Sequence, residues 1–156
     1  MFSNDLVCNI LEYIEDNINS KISIEDIGSK FFYNRFYIMK LFKREIGVSI
    51  NTYINYLRVY NSTKLIKYNN YSVRMIGMLC GFFSIEYFSE TFKKVIGVSP
   101  LKYRKYCSNR LVLEEKEIDL ILGNSIELQM LMEYTDRYKK NRKPKVAPVK
   151  KLSIFK

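Results

Sequence analysis

Tyr37-Ile-Met-Lys-Leu-Phe-Lys-Arg-Glu-Ile-Gly-Val-Ser49 and Tyr87-Phe-Ser-Glu-Thr-Phe-Lys-Lys-Val-Ile-Gly-Val-Ser99 are two versions of one segment. Phe42 answers to Phe92, Lys43 to Lys93, Arg44 to Lys94, and Ile46-Gly-Val-Ser49 to Ile96-Gly-Val-Ser99; Tyr53 and Tyr103 extend the match. An internal repeat reports duplicated architecture, and two copies are too few for a solenoid. The pattern therefore predicts a paired motif.

Each copy is preceded by a second short helix pattern. Ser23 is a cap for a helix from 24 to about 32, with Glu25 and Asp26 in its positive first turn. Asn34 caps the next, from Arg35 to about Ile46, and Gly47 supplies a left-handed stop. Helix, tight turn, helix is the helix-turn-helix pattern. The second unit repeats it: Ser72 caps a helix ending near Gly81, and Ser84 caps one from 85 to 96, stopped at Gly97. Gly28 and Gly77 lie inside helices, where glycine is costly, and so point to close helix–helix approach. Ser49 caps a long helix to about Lys67 that joins the units, with Ile54, Leu57 and Leu65 as its apolar stripe. Ser99-Pro100 opens a short last helix to about Tyr106. Before all of these, 5–18 reads as an amphipathic helix with Val7, Ile10, Leu11, Ile14 and Ile18 on one face and an acidic remainder.

The expected fold is all-α: two helix-turn-helix units joined by a long connecting helix, then a C-terminal helical extension. Three segments are expected: 1–107 as the core domain, 108–138 as the extension, and 139–156 as a basic, flexible tail. In the extension, 111–122 reads as a helix broken at Gly123. Asn124 with Glu127 resembles a capping box that opens a further helix to about Tyr138. The core domain is expected to fold without the extension or the tail.

Composition narrows the function. The 156 residues carry a formal net charge of +10, which favours polyanions: nucleic acid first, an anionic membrane second. No apolar run approaches a membrane span, and no secretory signal opens the chain, so a cytoplasmic location is expected. There is no histidine, which excludes Ser-His-Asp and Cys-His catalysis and His-based zinc sites. The six glycines form neither a dinucleotide fingerprint nor a P-loop. Cys8, Cys80 and Cys107 lack metal-ligand spacing and read as reduced, mostly buried thiols. No catalytic residue, metal or cofactor is expected; the chain does not read as an enzyme.

The second unit carries a more specific string: Ile76-Gly77, Gly81-Phe82, Tyr87-Phe88-Ser89, Phe92-Lys93, Gly97-Val-Ser-Pro100 and Tyr103-Arg104, with Arg58 in the connecting helix. With its repeat and caps, the chain resembles the DNA-binding domain of the AraC/XylS family of bacterial transcription regulators over about residues 3–106. Gly28, Gly77 and Ser62 depart from the alanines usual there. The resemblance implies seven helices and two recognition helices in successive major grooves, about one turn or ~34 Å apart. A monomer would then read two adjacent half-sites. It further implies a stand-alone regulator, an activator acting with RNA polymerase on the bacterial nucleoid, with a C-terminal addition in place of an effector domain.

By position, the resemblance assigns Phe36, Met39, Lys40 and Lys43 to the first reading face, with Arg35 near the helix start reaching phosphate or base. Lys40 can donate to guanine O6/N7, and Phe36 can meet thymine methyl groups. The second face comprises Ile85, Glu86, Ser89, Glu90 and Lys93. Lys94 serves the backbone, and Ser84 marks a helix N-terminus able to offer N–H groups to phosphate. Ile38, Leu41 and Phe42, and Phe88, Phe92 and Val95, are the expected inward sets. Two other readings remain open at this point: a protein-interaction module acting, or self-associating, through 111–138, and a non-specific basic nucleic-acid binder.

Overall fold

The computed structural model describes residues 3–141, and within them all regular structure is helical. Helix α1 (Ser3–Asp16) leads into the first helix-turn-helix unit, α2 (Ile24–Phe31) and α3 (Arg35–Ile46). The long α4 (Ile50–Tyr68) crosses to the second unit, α5 (Val73–Leu79) and α6 (Ile85–Ile96), followed by α7 (Pro100–Cys107). A last helix, α8 (Glu115–Asn141), runs back across the molecule.

The starts are set by short polar side chains that satisfy otherwise unpaired amides of the first turn. Ser23 accepts from Asp26 N–H, Asn34 from Phe36, Ser49 from Thr52, Ser72 from Met75, Ser84 from Tyr87 and Ser99 from Lys102. Both recognition helices stop on a left-handed glycine, Gly47 at φ 94° and Gly97 at φ 107°. The end of α2 differs: Phe32, not a glycine, takes the left-handed cap at φ 59°.

The close approach expected at Gly77 is present. A Cβ there would lie 2.8 Å from Cδ1 of Phe88, so the bare backbone of α5 admits a ring from the recognition helix. At Gly28 the neighbour is the turn itself, with the Tyr33 carbonyl 3.0 Å from where a Cβ would stand.

One apolar core joins both units. Ile27, Ile38, Phe42 and Ile46 enter it from the first, Ile76, Phe88, Phe92 and Ile96 from the second, and Tyr53 and Val59 from α4 between them. α4 packs against α3 on one side and α5, α6 and α7 on the other. Buried Arg58 ties it to the first half, its guanidinium donating to the carbonyls of Ile18 (3.0 Å) and Ser20 (2.7 Å). The same cation lies over the Phe82 ring of the second half. Cys8 and Cys80 are buried free thiols, and Cys107 is half-buried; burial pushes the Cys80 thiol up to about 11.

The C-terminal region departs from expectation in three ways. First, there is no break at Gly123: α8 is continuous through it. Glu117, Ile121, Asn124, Leu128, Leu131, Thr135 and Tyr138 recur at alternating steps of four and three. All but half-buried Glu117 are buried, so one stripe crosses the glycine. Packing along that stripe outweighs the ~1 kcal/mol that an interior glycine costs. Second, Asn124 does not open a helix. Its Nδ2 donates to the Ile96 carbonyl 3.0 Å away. Third, Lys139 and Lys140 do not open a tail: both belong to α8, and Lys139 Nζ meets Glu15 at 2.6 Å and Asp136 at 3.1 Å. The remaining basic stretch, 142–156, lies outside the described residues. α8 packs on α1, α4 and α6, and its stripe belongs to the same core as the domain placed at 1–107.

Candidate nucleic-acid interface

The two recognition helices divide their faces as the 3.6-residue period requires. On α3, Ile38, Leu41 and Phe42 are buried, while Phe36, Met39, Lys40 and Lys43 are exposed. Phe36 is 64% open to solvent on the outward face of α3, beside exposed Met39. Its ring is already partly engaged, with the Arg35 guanidinium 4.8 Å from its centre. Arg35 also donates to Glu25 at 2.8 Å, a contact that holds the Glu25 carboxyl below its ordinary range. Both partners are exposed, so this pair is weak and can exchange for a phosphate. Arg35, Phe36, Met39, Lys40 and Lys43 therefore form one surface of two apolar and three cationic side chains.

On α6, Phe88, Phe92 and Val95 are buried as expected, and Glu86, Glu90, Lys93 and Lys94 are exposed. Two of the expected residues are partly engaged within the protein. Ile85 is only half-exposed and packs against the core, so it offers less than a free reading side chain. The Ser84 hydroxyl is committed locally: it accepts from Tyr87 N–H and donates to Glu86 Oε2 at 2.8 Å. That bond is the main reason the Glu86 carboxyl is held below its ordinary range. Ser89 is half-buried. The second face is thus more anionic than the first.

Two exposed aromatic residues near these faces were not among the expected contacts, and a third, Tyr87, is engaged within the fold. Phe32 is 94% exposed in the turn before α3, and Phe83 is 76% exposed in the turn before α6. Tyr87 accepts from Asn55 Nδ2 at 2.8 Å, which links α6 to α4. The signal for the first two was present: each unit has a double aromatic, Phe31-Phe32 and Phe82-Phe83, of which one member faces solvent.

Among the described residues, no group of side chains could hold a metal ion, and no helix is long and apolar enough to cross a membrane. Two capped helix pairs, each offering an outward polar and aromatic face, define the chain as a double helix-turn-helix protein of the DNA-binding class. Residues 27–106 match the family described as a helix-turn-helix domain. The chain belongs to the AraC/XylS family of transcription regulators. It is 31% identical over 96 residues to the multiple antibiotic resistance protein MarA of Escherichia coli, which covers 62% of this chain and 76% of MarA. It is 28% identical over 103 residues to the transcriptional activator AarP of Providencia stuartii, covering 66% of this chain and 76% of AarP. The fold is similar to the DNA-binding domain of AdpA, a global transcriptional factor solved with a target DNA. The TM-score is 0.63 at 20% identity, over 67% of this chain and 94% of that one. The family is one of DNA-binding regulators, not enzymes.

Proposed function

We propose that this protein is a sequence-specific regulator of transcription, an activator, that reads two adjacent major-groove half-sites with α3 and α6. The observation that carries the reading is the exposed Phe36, Met39, Lys40 and Lys43 set opposite the buried Ile38, Leu41 and Phe42. Charge alone would not require an outward-facing aromatic on a capped helix of the right motif. The apolar pair Phe36 and Met39 suits thymine methyl groups, and Lys40 suits guanine O6/N7. Lys43, Lys93 and Lys94 would hold phosphates and set the register. Activation is supported by likeness to AarP, an activator by name, and implies contact with RNA polymerase. The place of action would be the bacterial cytoplasm, on the nucleoid.

Selection of bound duplexes from a random pool at fixed salt tests the reading. Enrichment of paired half-sites about one turn, ~34 Å, apart supports it. Recovery of no motif would replace it with non-specific binding.

The two readers are expected to contribute unequally. Lys40→Ala should weaken the selected site by about 1–3 kcal/mol and relax preference at one base pair. Glu90→Ala should cost less, and should tighten binding to a scrambled duplex by removing phosphate repulsion. Titration of both variants against both duplexes is the check; equal losses throughout would refute the division.

Self-association is favoured by one observation. Leu122, Ile126 and Met130 are exposed at four-residue spacing along the outer face of α8. Sedimentation equilibrium with Ile126→Lys would reveal it as a loss of dimer.

A further inference from the structure

We infer that α8 is a brace that fixes the distance between the two recognition helices, and with it the spacing of half-sites the protein accepts. The inference rests on the proposed reading of paired half-sites and adds what sets their separation.

The last carbonyls of a helix have no partner within it. α8 supplies one to each recognition helix. Tyr134 Oη donates to the Glu45 carbonyl at 3.0 Å, in the last turn of α3. Asn124 Nδ2 donates to the Ile96 carbonyl at 3.0 Å, at the last residue of α6. These two carbonyls lie at nearly equivalent points of the repeat, Ile46 answering to Ile96. Ten residues of helix separate the two donors, a fixed span of about 15 Å at 1.5 Å per residue.

Each grip is reinforced. On the first unit, Tyr138 Oη lies 3.3 Å from both Glu45 Oε2 and Asn4 Oδ1. Lys139 there holds Glu15 of α1. On the second, Glu117 pairs with Lys102 of α7, and Leu120 occupies the space that a Cβ on Gly97 would need. Between the grips, Leu128 and Leu131 are fully buried. α4 also links the units, through side-chain packing, the Arg58 contacts and the hydrogen bond from Asn55 to Tyr87. α8 takes hold of the ends of the reading helices themselves. Asn124 and Tyr134 are positioning residues in this scheme and touch no DNA.

Three variants test it. Asn124→Ala and Tyr134→Phe each release one grip, and Gln129→Pro interrupts the rod between them at an exposed position. Duplexes carrying the selected half-sites at separations changed by one base pair are titrated with each. The native chain should prefer one separation by on the order of tenfold per base pair, comparable to a mismatch. The variants should accept neighbouring separations almost equally while keeping their preference within each half-site.

A second measurement does not depend on DNA. Spin labels on Lys43→Cys and Lys93→Cys, with Cys107→Ser, report the distance between α3 and α6. The distribution should be narrow in the native chain and broad in Asn124→Ala and Tyr134→Phe, even where Gln129→Pro fails to fold. Unchanged widths would overturn the brace, as would lower melting temperatures accompanied by an unchanged separation preference. A native chain that selects no paired sites defeats the half-site reading, and the label distances still decide the brace.

Discussion

A chain ending after Cys107 is expected to melt roughly 10–15 °C below the full-length protein, a loss of about 4–5 kcal/mol for a protein of this size. The reading of the sequence alone expects 1–107 to close its own core, and matches to relatives over about a hundred residues encourage that view. The packing argues otherwise for this chain. Ile121, Leu128, Leu131, Met132, Tyr134 and Tyr138 are buried and contiguous with residues of α1, α4 and α6. Removing α8 returns to water its own apolar stripe and the apolar surface beneath it, and the conformational entropy regained by the freed segment offsets only part of that loss. Against a total stability of about 5–15 kcal/mol, such a loss leaves the domain marginal.

The result should be reproduced in miniature by a single substitution. Leu131→Ala removes a fully buried side chain from the middle of α8. If α8 belongs to the core, the cost should be about 2–5 kcal/mol, the range for buried leucines. If it is an independent appendage, the main unfolding transition should not move. Calorimetry on both proteins separates the cases, and a truncated chain that melts with the full-length protein would restore the boundary at 107.

What made the double motif readable and α8 unreadable is a difference in where the information lies. The starts of α2 to α7 are written in single residues: Ser23, Asn34, Ser49, Ser72, Ser84 and Ser99 bond amides two or three positions away. Gly47 and Gly97 likewise end α3 and α6 through their own backbone. Such signals are local, and a duplicated motif states them twice. α8 depends on distant groups. Asn124 followed by Glu127 imitates a capping box, yet Asn124 is occupied by a carbonyl 28 positions earlier. Thr135 is buried mid-helix because the Tyr53 hydroxyl meets it at 3.4 Å. With three polar residues in the stripe, Glu117, Asn124 and Thr135, and a glycine beside one of them, the alternation of fours and threes is hidden from a hydrophobicity count. On the reading faces the inward and outward sets were legible from period alone. The exceptions are Ile85 and Ser89, both half-buried, Ile85 because it packs against the core from the first turn of α6.

Gly81→Ala should be the most damaging of the small substitutions, at about 3–5 kcal/mol, lowering the melting temperature by roughly 10 °C. Gly81 holds φ +88°, and a Cβ there would fall 2.3 Å from the Ile18 carbonyl oxygen and 2.9 Å from Arg58 Nε. Left-handed backbone costs an L-residue about 1–2 kcal/mol. The steric conflict adds more, because the carbonyl it would displace is the one that receives the buried Arg58 guanidinium at 3.0 Å. A hydrogen bond from a charged group contributes about 1.5–3 kcal/mol. Ile18 follows α1 in the first half and Gly81 closes α5 in the second, so this contact is also where the halves touch. Arg58→Lys keeps the charge but loses the fork that reaches Ile18 and Ser20 together. Both variants act on one carbonyl. The double variant should therefore lose clearly less than the two single losses added together. A strictly additive double variant would mean that Gly81 acts through its own backbone alone and that the Ile18 carbonyl does not couple the two halves.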